Sequence, residues 1–259
     1  MGEGGKDPTV EVYLPHREQP GKRPVAVILP GGAYLFCSER EQEPVAIHLL
    51  PEGYAVFVLR YSVVPHRFPA QLREVAAVFE LIRRHEEWQC DLSRSVLMGF
   101  SAGGHLAALY ANAYAWQEVR ACFPASVKPA RSALCYPVIS ADPAIAHRKS
   151  FAFLLGHEPS DQERERFSCE KLVTPDTPPA FLWHTSQDEN VKVANSLVYA
   201  AALARCGVPF ELHIFPYGVH GTATADLQTN RTVAPETAGN SRWLTALKNW
   251  LKSEWTKEE

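Results

Sequence analysis

The sequence lacks an excess of charge of either sign. It has 26 Lys and Arg against 29 Asp and Glu in 259 residues, which gives a formal net charge of −3 at pH 7. The basic residues form no stripe, and a nucleic-acid-binding surface needs such a concentration of positive charge. We therefore expect no nucleic-acid partner.

Long apolar runs are also missing. The longest, Leu197–Ala204, is far shorter than the roughly 18 residues that a membrane-spanning helix requires. The segment Met1–Pro8 has no apolar core of a secretion signal, and Lys6 stands where an N-myristoylation pattern needs Ser or Thr. We therefore expect neither a membrane partner nor a secretory leader.

Paired cysteines are absent as well. The six cysteines form no C-x-x-C pair, and they lie at positions 37, 90, 122, 135, 169 and 206. With no leader in view, this scatter favours reduced thiols and a cytoplasmic location. No cluster of His, Cys and Asp has the spacing of metal ligands, so we expect no metal and no cofactor.

The chain does show a regular alternation of strand and helix patterns. Short apolar runs predict buried strands at Val25–Leu29, Ala55–Leu59, Val96–Met98, Ala133–Tyr136 and Ala180–Trp183. Alternating polar and apolar residues predict marginal strands at Thr9–Leu14 and Phe210–Phe215. Amphipathic spacing predicts helices at Glu41–Leu50, Pro69–His85, Ala102–Tyr114, Val191–Cys206 and Ser241–Trp255. This order is typical of a doubly wound α/β fold with a mostly parallel sheet and helices on both faces.

No linker divides the chain, so we expect a single domain over residues 1–259. The least regular stretch is the insertion 139–179, which holds the charged run Asp161–Arg166 and a Pro-rich end. The charged run reads as a short solvated helix. The alternative is that the insertion forms a small flap over a functional site, and the sequence leaves both open.

The segment with the clearest chemistry is Gly99-Phe-Ser101-Ala-Gly103. It follows a buried strand and opens a helix, which is the context that a G-x-S-x-G nucleophile elbow requires. The tight turn strains the serine, so its neighbours two residues away must be small. Ser101 is therefore the candidate nucleophile, and the helix onset after it offers the amide of Ala102 to an oxyanion.

A serine nucleophile needs a base and an acid, which follow it in the order Ser, Asp, His in this elbow type. His220 is the candidate base, because it lies in a glycine-flanked loop directly after the last strand. Its main rival, His184, ends the preceding strand and comes before the acid. His105 reads as a packing or hydrogen-bonding residue of the helix.

Asp188 is the candidate acid, since it follows the strand Ala180–Trp183 and so lies at the carboxyl edge of the sheet. The alternative role for Asp188 is to cap the next helix. Asp142 and then Glu189 are the next candidates for the acid.

A second oxyanion donor is expected from the loop after the strand Val25–Leu29. There Gly31 and Gly32 precede Ala33, and amides of Gly32 or Ala33 would point at Ser101 as in an HGGG-type loop. Tyr34, Phe100 and Val138 adjoin these motifs and are candidates for an acyl pocket. Ordinary core packing is the equally simple alternative for each of them.

The combination of motifs resembles the α/β-hydrolases of the hormone-sensitive-lipase-like esterases, and within them the compact bacterial acetyl esterases called acetyl-xylan esterase-like. The motifs that carry the resemblance are Leu29-Pro-Gly-Gly-Ala-Tyr34, Leu59-Arg-Tyr-Ser-Val63, Gly99-Phe-Ser-Ala-Gly-Gly-His-Leu106, Cys135-Tyr-Pro-Val-Ile139, Thr174-Pro-Asp-Thr-Pro-Pro179, Phe181-Leu-Trp-His-Thr185 and the His220 loop. The sequence departs from the HGGG pattern at Pro30 and Ala33, which leaves open whether Gly32 or Ala33 donates. The first strand starts near Thr9, so we expect no large cap domain and an open site.

The resemblance implies a serine carboxylesterase that hydrolyses short-chain, acetyl-type esters, with acetylated sugars as plausible substrates. The expected partner is a small-molecule ester, and a homo-oligomer is left open. Two rivals are a serine peptidase of prolyl-oligopeptidase type and a non-catalytic binding module on the same fold. The first normally needs an extra domain, and the second usually loses a member of the triad.

Overall fold

A computed structural model describes residues 7–16 and 21–253 of the chain. Most of the Met1–Pro8 segment and the last two residues of the predicted helix Ser241–Trp255 lie outside these residues. No helix in the described part of the chain is long and apolar enough to cross a membrane.

Seven strands of the described chain form one sheet in the order β1-β3-β2-β4-β5-β6-β7. They are β1 Thr9–Tyr13, β2 Arg23–Leu29, β3 Ala55–Arg60, β4 Cys90–Phe100, β5 Arg131–Cys135, β6 Ala180–Thr185 and β7 Phe210–Phe215. Only β1 among them runs antiparallel to its neighbour, and the other pairs are parallel. The predicted α/β class is confirmed, and the two alternating strands lie at the two margins of the sheet as expected.

Eight α-helices of the described chain surround the sheet. They are α1 Glu43–Leu49, α2 Ala70–Arg84, α3 Ala102–Ala113, α4 Gln117–Arg120, α5 Arg148–Leu155, α6 Asp161–Phe167, α7 Ala194–Arg205 and α8 Arg242–Lys252. The five predicted helices are present, and two of them start at least two residues later than predicted. The α1 helix starts at Glu43 because Glu41 belongs to a separate 3-10 turn. The α7 helix starts at Ala194 because a turn around Asp188 precedes it.

The core consists of two apolar layers, one on each face of the sheet. Alternate residues of β2 divide between them, with Val25 and Val27 in one layer and Ala26 and Ile28 in the other. This division explains the continuous apolar strands of the sequence, since a strand covered on both faces has no side that must be polar.

The insertion 139–179 contains α5 and α6. The charged run Asp161–Arg166 lies within α6, which agrees with the predicted short helix. Ser160 and Glu163 form a capping box at its start, where each side chain bonds the other residue's backbone amide. The role of the insertion as a flap stays a prediction.

The α8 helix packs on the sheet and is fixed at both ends. Near its start, the ring of Trp243 stacks on Trp183 at a centroid distance of 5.1 Å, and its Nε1 donates to the carbonyl of Ala223 at 3.1 Å. Near its end, Arg131 donates to backbone carbonyls that include Leu251 at 2.9 Å. Because Arg131 is the first residue of β5, the end of α8 lies at the amino edge of the parallel strands.

Candidate active site

The candidate nucleophile lies where the strand order reverses. The chain leaves β2 toward β3 on one side and continues from β4 toward β5 on the other, so the loops after β2 and β4 flank the switch point of the sheet. Ligands of open α/β sheets bind in such a crevice, outside the carboxyl ends of the strands. Ser101 directly follows β4 and Gly31 lies two residues after β2, which brings both loops to this crevice.

The backbone of Ser101 adopts the strained turn that the elbow motif predicts. Its φ is 53° and its ψ −116°, a combination that L-residues rarely adopt. The amide of Ser101 donates to the carbonyl of Cys135 at 3.0 Å, and its carbonyl accepts from the amides of His105 at 3.1 Å and Val138 at 3.0 Å. These bonds fix the backbone of the turn that carries the Ser101 hydroxyl.

The glycines of the elbow are required by close backbone contacts. A Cβ on Gly99 would lie 2.1 Å from the carbonyl oxygen of Gly103, and one on Gly103 would lie 2.2 Å from that of Leu29. A Cβ on Gly104 would lie 2.7 Å from the Pro137 side chain. The helix α3 can therefore approach the sheet this closely only with glycine at these positions.

The structure brings Ser101, His220 and Asp188 into one hydrogen-bonded chain. The Ser101 hydroxyl lies 2.8 Å from His220 Nε2, and His220 Nδ1 lies 2.6 Å from Asp188 Oδ2. An ionised carboxylate only accepts, so Nδ1 carries the proton and Nε2 is free to accept from the serine. Ser101 is 7% exposed, which leaves a narrow approach to the hydroxyl.

Asp188 is held from several sides. Its Oδ1 accepts from the amides of Asn190 at 3.0 Å and Val191 at 2.9 Å, so the carboxylate also orders the turn before α7. Burial would raise the pKa of Asp188, but the hydrogen bonds from His184 and His220 outweigh it and hold the pKa below its usual range. The carboxylate stays ionised, as an acid that orients a histidine must.

The alternative residues lie elsewhere in the hydrogen-bond network. His184 is fully buried and bonds Ser196 Oγ at 2.8 Å and the carbonyl of Val191 at 2.9 Å, with a longer contact of 3.2 Å to Asp188 Oδ2. His105 lies between the Tyr34 hydroxyl and the carbonyl of Phe167. Both histidines therefore have structural partners.

The two lower-ranked acids do not join the triad's hydrogen-bond chain. Asp142 caps its own exposed turn by accepting from the amide of Ala144. Glu189 is exposed beside Asp188.

The loop after β2 abuts the nucleophile. A Cβ on Gly31 would lie 3.0 Å from the Cβ of Ser101. Ala33 and Tyr34 then adopt φ values of 57° and 62°, so the turn is left-handed at two residues that are not glycine. Ser38 and Leu35 close the turn by donating their amides to Gly31 and Gly32.

Three amides at this point remain available to a ligand. In the described chain no hydrogen bond engages the backbone N–H of Gly32, Ala33 or Ala102, the three predicted oxyanion donors. The Gly31 amide, in contrast, donates to Glu41 Oε2 at 2.7 Å. Gly31 is thus occupied, and the choice between Gly32 and Ala33 stays open.

The three candidate pocket residues are all fully buried. Tyr34 donates its hydroxyl to His105 Nδ1 at 2.8 Å. Phe100 packs edge-on against Trp243, and Val138 belongs to the apolar layer around α3. As placed, these side chains form the packing behind the site, in line with the core alternative, and present no surface to an open pocket.

Two residues of the site, Glu41 and Tyr136, are not predicted as site residues from the sequence. Glu41 is buried and accepts the hydroxyl of Tyr136 at 2.6 Å, and that hydroxyl accepts in turn from the amide of Ala223 at 3.0 Å. Burial raises the pKa of Glu41. The hydrogen bonds from Tyr136 and Gly31 lower it, but by less than burial raises it. An acidic residue ahead of an apolar helix is commonplace, so the sequence carries no signal that would single it out.

The arrangement suits acyl transfer. A serine hydroxyl lies within hydrogen-bond distance of a histidine that is itself bonded to a carboxylate, and the predicted oxyanion donors lie in the two loops beside the serine. In the part of the chain that the structure describes, no group of three or more His, Cys, Asp and Glu residues is arranged to hold a metal ion. The fold, the elbow after β4 and the loops after β6 and β7 together define an α/β-hydrolase.

Comparison with known proteins identifies the family within this class. The BD-FAE family model matches residues 10–203. The match covers well over half of the chain, so the chain belongs to the BD-FAE family.

Curated relatives agree with the resemblance found in the motifs. The chain is 35% identical over 216 residues to endo-1,4-beta-xylanase B of Butyrivibrio fibrisolvens, a match that covers 79% of this chain and 33% of that protein. It is 31% identical over 215 residues to an acetylxylan esterase of Xylanibacter ruminicola, with 81% of this chain and 42% of that protein covered. The matched part is thus less than half the length of either relative.

A solved structure matches over a larger share of both chains. An acetyl ester-xyloside bifunctional hydrolase from Caldicellulosiruptor lactoaceticus superposes with a TM-score of 0.81 at 36% identity. The match covers 94% of this chain and 86% of that one.

Proposed function

We propose that this chain is a serine carboxylesterase that hydrolyses short-chain acyl esters by a Ser-His-Asp acyl-enzyme mechanism. The observation that carries the proposal is the hydrogen-bonded chain from Ser101 through His220 to Asp188, at 2.8 and 2.6 Å. The similarity to an acetylxylan esterase and to an acetyl ester hydrolase supports ester chemistry.

The geometry supports the following mechanism. His220 Nε2 takes the proton of Ser101, and the serine oxygen attacks the ester carbonyl. Amides of Ala102 and of Gly32 or Ala33 stabilise the oxyanion, while Asp188 stabilises the imidazolium. His220 then protonates the leaving alcohol, and water releases the acid from the acyl-enzyme by the same steps.

The test compares Ser101→Ala with the wild type and with Ser93→Ala, a control at an exposed position of β4 near the opposite edge of the sheet. Hydrolysis of p-nitrophenyl acetate should fall by about four orders of magnitude or more in Ser101→Ala, while the control keeps it and both circular dichroism spectra stay native. Turnover retained in Ser101→Ala would overturn the proposal.

Two further readouts separate the alternatives. A fluorophosphonate should label the wild type at Ser101, and absence of labelling would favour a non-catalytic binding module. Hydrolysis of an aminoacyl-anilide without hydrolysis of acetyl esters would favour a peptidase of prolyl-oligopeptidase type.

We propose acetylated sugars, including xylo-oligosaccharides, as the substrate class. The support is that the matched relatives are named as a xylanase, an acetylxylan esterase and an acetyl ester-xyloside hydrolase. A panel of p-nitrophenyl esters from acetyl to octanoyl, with acetylated xylo-oligosaccharides beside it, tests this. A kcat/KM that rises toward octanoyl would contradict it.

We also propose a cytoplasmic location. All six cysteines are free thiols in the structure, which suits a reducing compartment. Small esters or imported oligosaccharides would then be the substrates, in place of polymeric xylan. Fractionation of the source cells tests the location.

A further inference from the structure

A carboxylate lies buried behind the candidate oxyanion loop, and the triad does not use it. Glu41 is 3% exposed, and no lysine or arginine forms an ion pair with it among the described residues. A buried carboxylate is costly unless hydrogen bonds compensate for the lost water. Each of its oxygens has such a bond, one from the Gly31 amide and one from the Tyr136 hydroxyl.

The first bond fixes the loop that carries the candidate oxyanion donors. A Cβ on Gly31 would lie 2.7 Å from Glu41 Oε2 and 3.0 Å from the Cβ of Ser101, so this glycine packs closely against both residues. Gly32 and Ala33 follow directly in a left-handed turn. Anchoring the Gly31 peptide therefore sets the direction in which the next two amides point.

The second bond reaches the loop of the candidate base. The Tyr136 hydroxyl donates to Glu41 and accepts from the amide of Ala223, three residues after His220. The ring of Tyr136 meets His220 edge-on, at a centroid distance of 5.1 Å and an interplanar angle of 72°. One carboxylate thus connects the oxyanion loop with the histidine loop.

We propose that Glu41 is a positioning residue for the esterase reaction, which aligns the oxyanion amides and the His220 loop through Gly31 and Tyr136. The inference rests on the proposed function. It gives Glu41 no contact with substrate. Its effect should appear in the transition state, where an oxyanion donor displaced by a fraction of an ångström loses much of its benefit.

The main test is Glu41→Gln, which keeps the shape but places an amide N–H2 opposite one of the two donors. With p-nitrophenyl acetate, kcat should fall about ten-fold or more with KM changed by less than about three-fold. The matched control is Glu39→Gln, which removes the same charge from an exposed residue of the same turn and should behave as wild type.

A second readout follows the oxyanion site itself. Phenylboronic acid forms a bond from boron to the Ser101 oxygen while the serine proton passes to His220 Nε2, and the resulting tetrahedral anion places a boron-bound oxygen in the oxyanion site. Its inhibition constant should rise in Glu41→Gln by about the same factor as kcat falls. A loss of stability alone, visible as a lower melting temperature, would leave the boronate affinity of the folded enzyme unchanged and would overturn the inference.

Tyr136→Phe covers the case in which Glu41→Gln fails to fold. It removes only the hydroxyl, and it should also lower kcat with little change in KM. In the double variant, kcat should be no lower than in the worse single variant, since both act along one path. Wild-type kcat in Tyr136→Phe, or in Glu41→Gln, overturns the inference, whereas activity retained in Ser101→Ala overturns the proposed function itself.

Discussion

At the scale of single residues, two histidines share one carboxylate oxygen. Asp188 Oδ2 lies 2.6 Å from His220 and 3.2 Å from His184, and only His220 also reaches Ser101. The shorter bond belongs to the ring that becomes an imidazolium in the proposed mechanism. The longer one belongs to a ring whose remaining partners are structural.

The two histidines should therefore respond differently to removal. His220→Ala should lower kcat for p-nitrophenyl acetate by about four orders of magnitude. His184→Ala should keep substantial activity but lose roughly 2–4 kcal/mol of unfolding free energy, because it leaves Ser196 and Asp188 short of a buried partner.

Steady-state kinetics and urea denaturation of both variants measure this difference. The opposite pattern, with His184→Ala inactive and His220→Ala active, would reverse the assignment of the base.

At the scale of elements, the elbow depends on how closely α3 approaches β2. Gly103→Ala places a Cβ 2.2 Å from the carbonyl of Leu29 and 2.4 Å from that of Pro30, so the helix or the oxyanion loop must move. We expect a loss of unfolding free energy of about 3 kcal/mol or more and a large loss of kcat.

Gly207→Ala is the matched control. Gly207 has a φ of 67°, but a Cβ there meets nothing within 4 Å. We expect a loss of unfolding free energy of roughly 1–2 kcal/mol, caused by the left-handed backbone alone, and an unchanged kcat. Equal effects of the two variants, in chemical denaturation and in kinetics, would contradict the close-contact explanation.

Most element positions could be predicted from apolar periodicity because the sheet is buried on both faces. Among the strands, β4 is the exception, since it starts at Cys90, six residues before the predicted Val96. Its first part is polar and pairs with Arg23 and Pro24 beyond a register shift in β2. Local hydrophobicity cannot report a pairing that depends on a neighbouring strand.

At the scale of the whole molecule, His105 should make folding stability depend on pH. Burial lowers the pKa of His105 from 6.5 to about 4. The native state therefore stays neutral at this site while the unfolded chain takes up a proton below about pH 6.5. The neutral ring's contribution is complete above that pH and is lost as the pH falls toward 4, by about 2 kcal/mol at pH 5.

Urea denaturation at pH 7.5 and pH 5 measures this contribution of His105 to the unfolding free energy. His105→Gln, which removes the titrating ring, should lose less stability than wild type between the two pH values. His66→Gln, at an exposed position, should behave as wild type. An unchanged pH dependence in His105→Gln would show that this ring does not contribute.

The arrangement of the candidate site could be predicted where it follows chain order, and not where it depends on side-chain convergence. The elbow, the acid after β6 and the histidine after β7 each have a local pattern, and the fold brings them to one edge. Glu41 has no such local pattern, since its hydrogen-bond partner Tyr136 lies 95 residues away in the chain. The orientation of the candidate pocket residues also could not be predicted, because adjacency to a motif does not tell which way a side chain points.

The anchored end of α8 has a practical consequence for handling the protein. Thr9 pairs with Arg60 at the carboxyl end of β3, on the edge that bears the candidate triad, whereas Arg131 donates to the carbonyl of Ser253 at the opposite edge. A linker that replaces the residues after Ser253 would therefore start on the side away from Ser101. Immobilising the protein on a support through a linker at Ser253 would turn the crevice at Ser101 outward to the solution, and a tether at Thr9 would turn it toward the support.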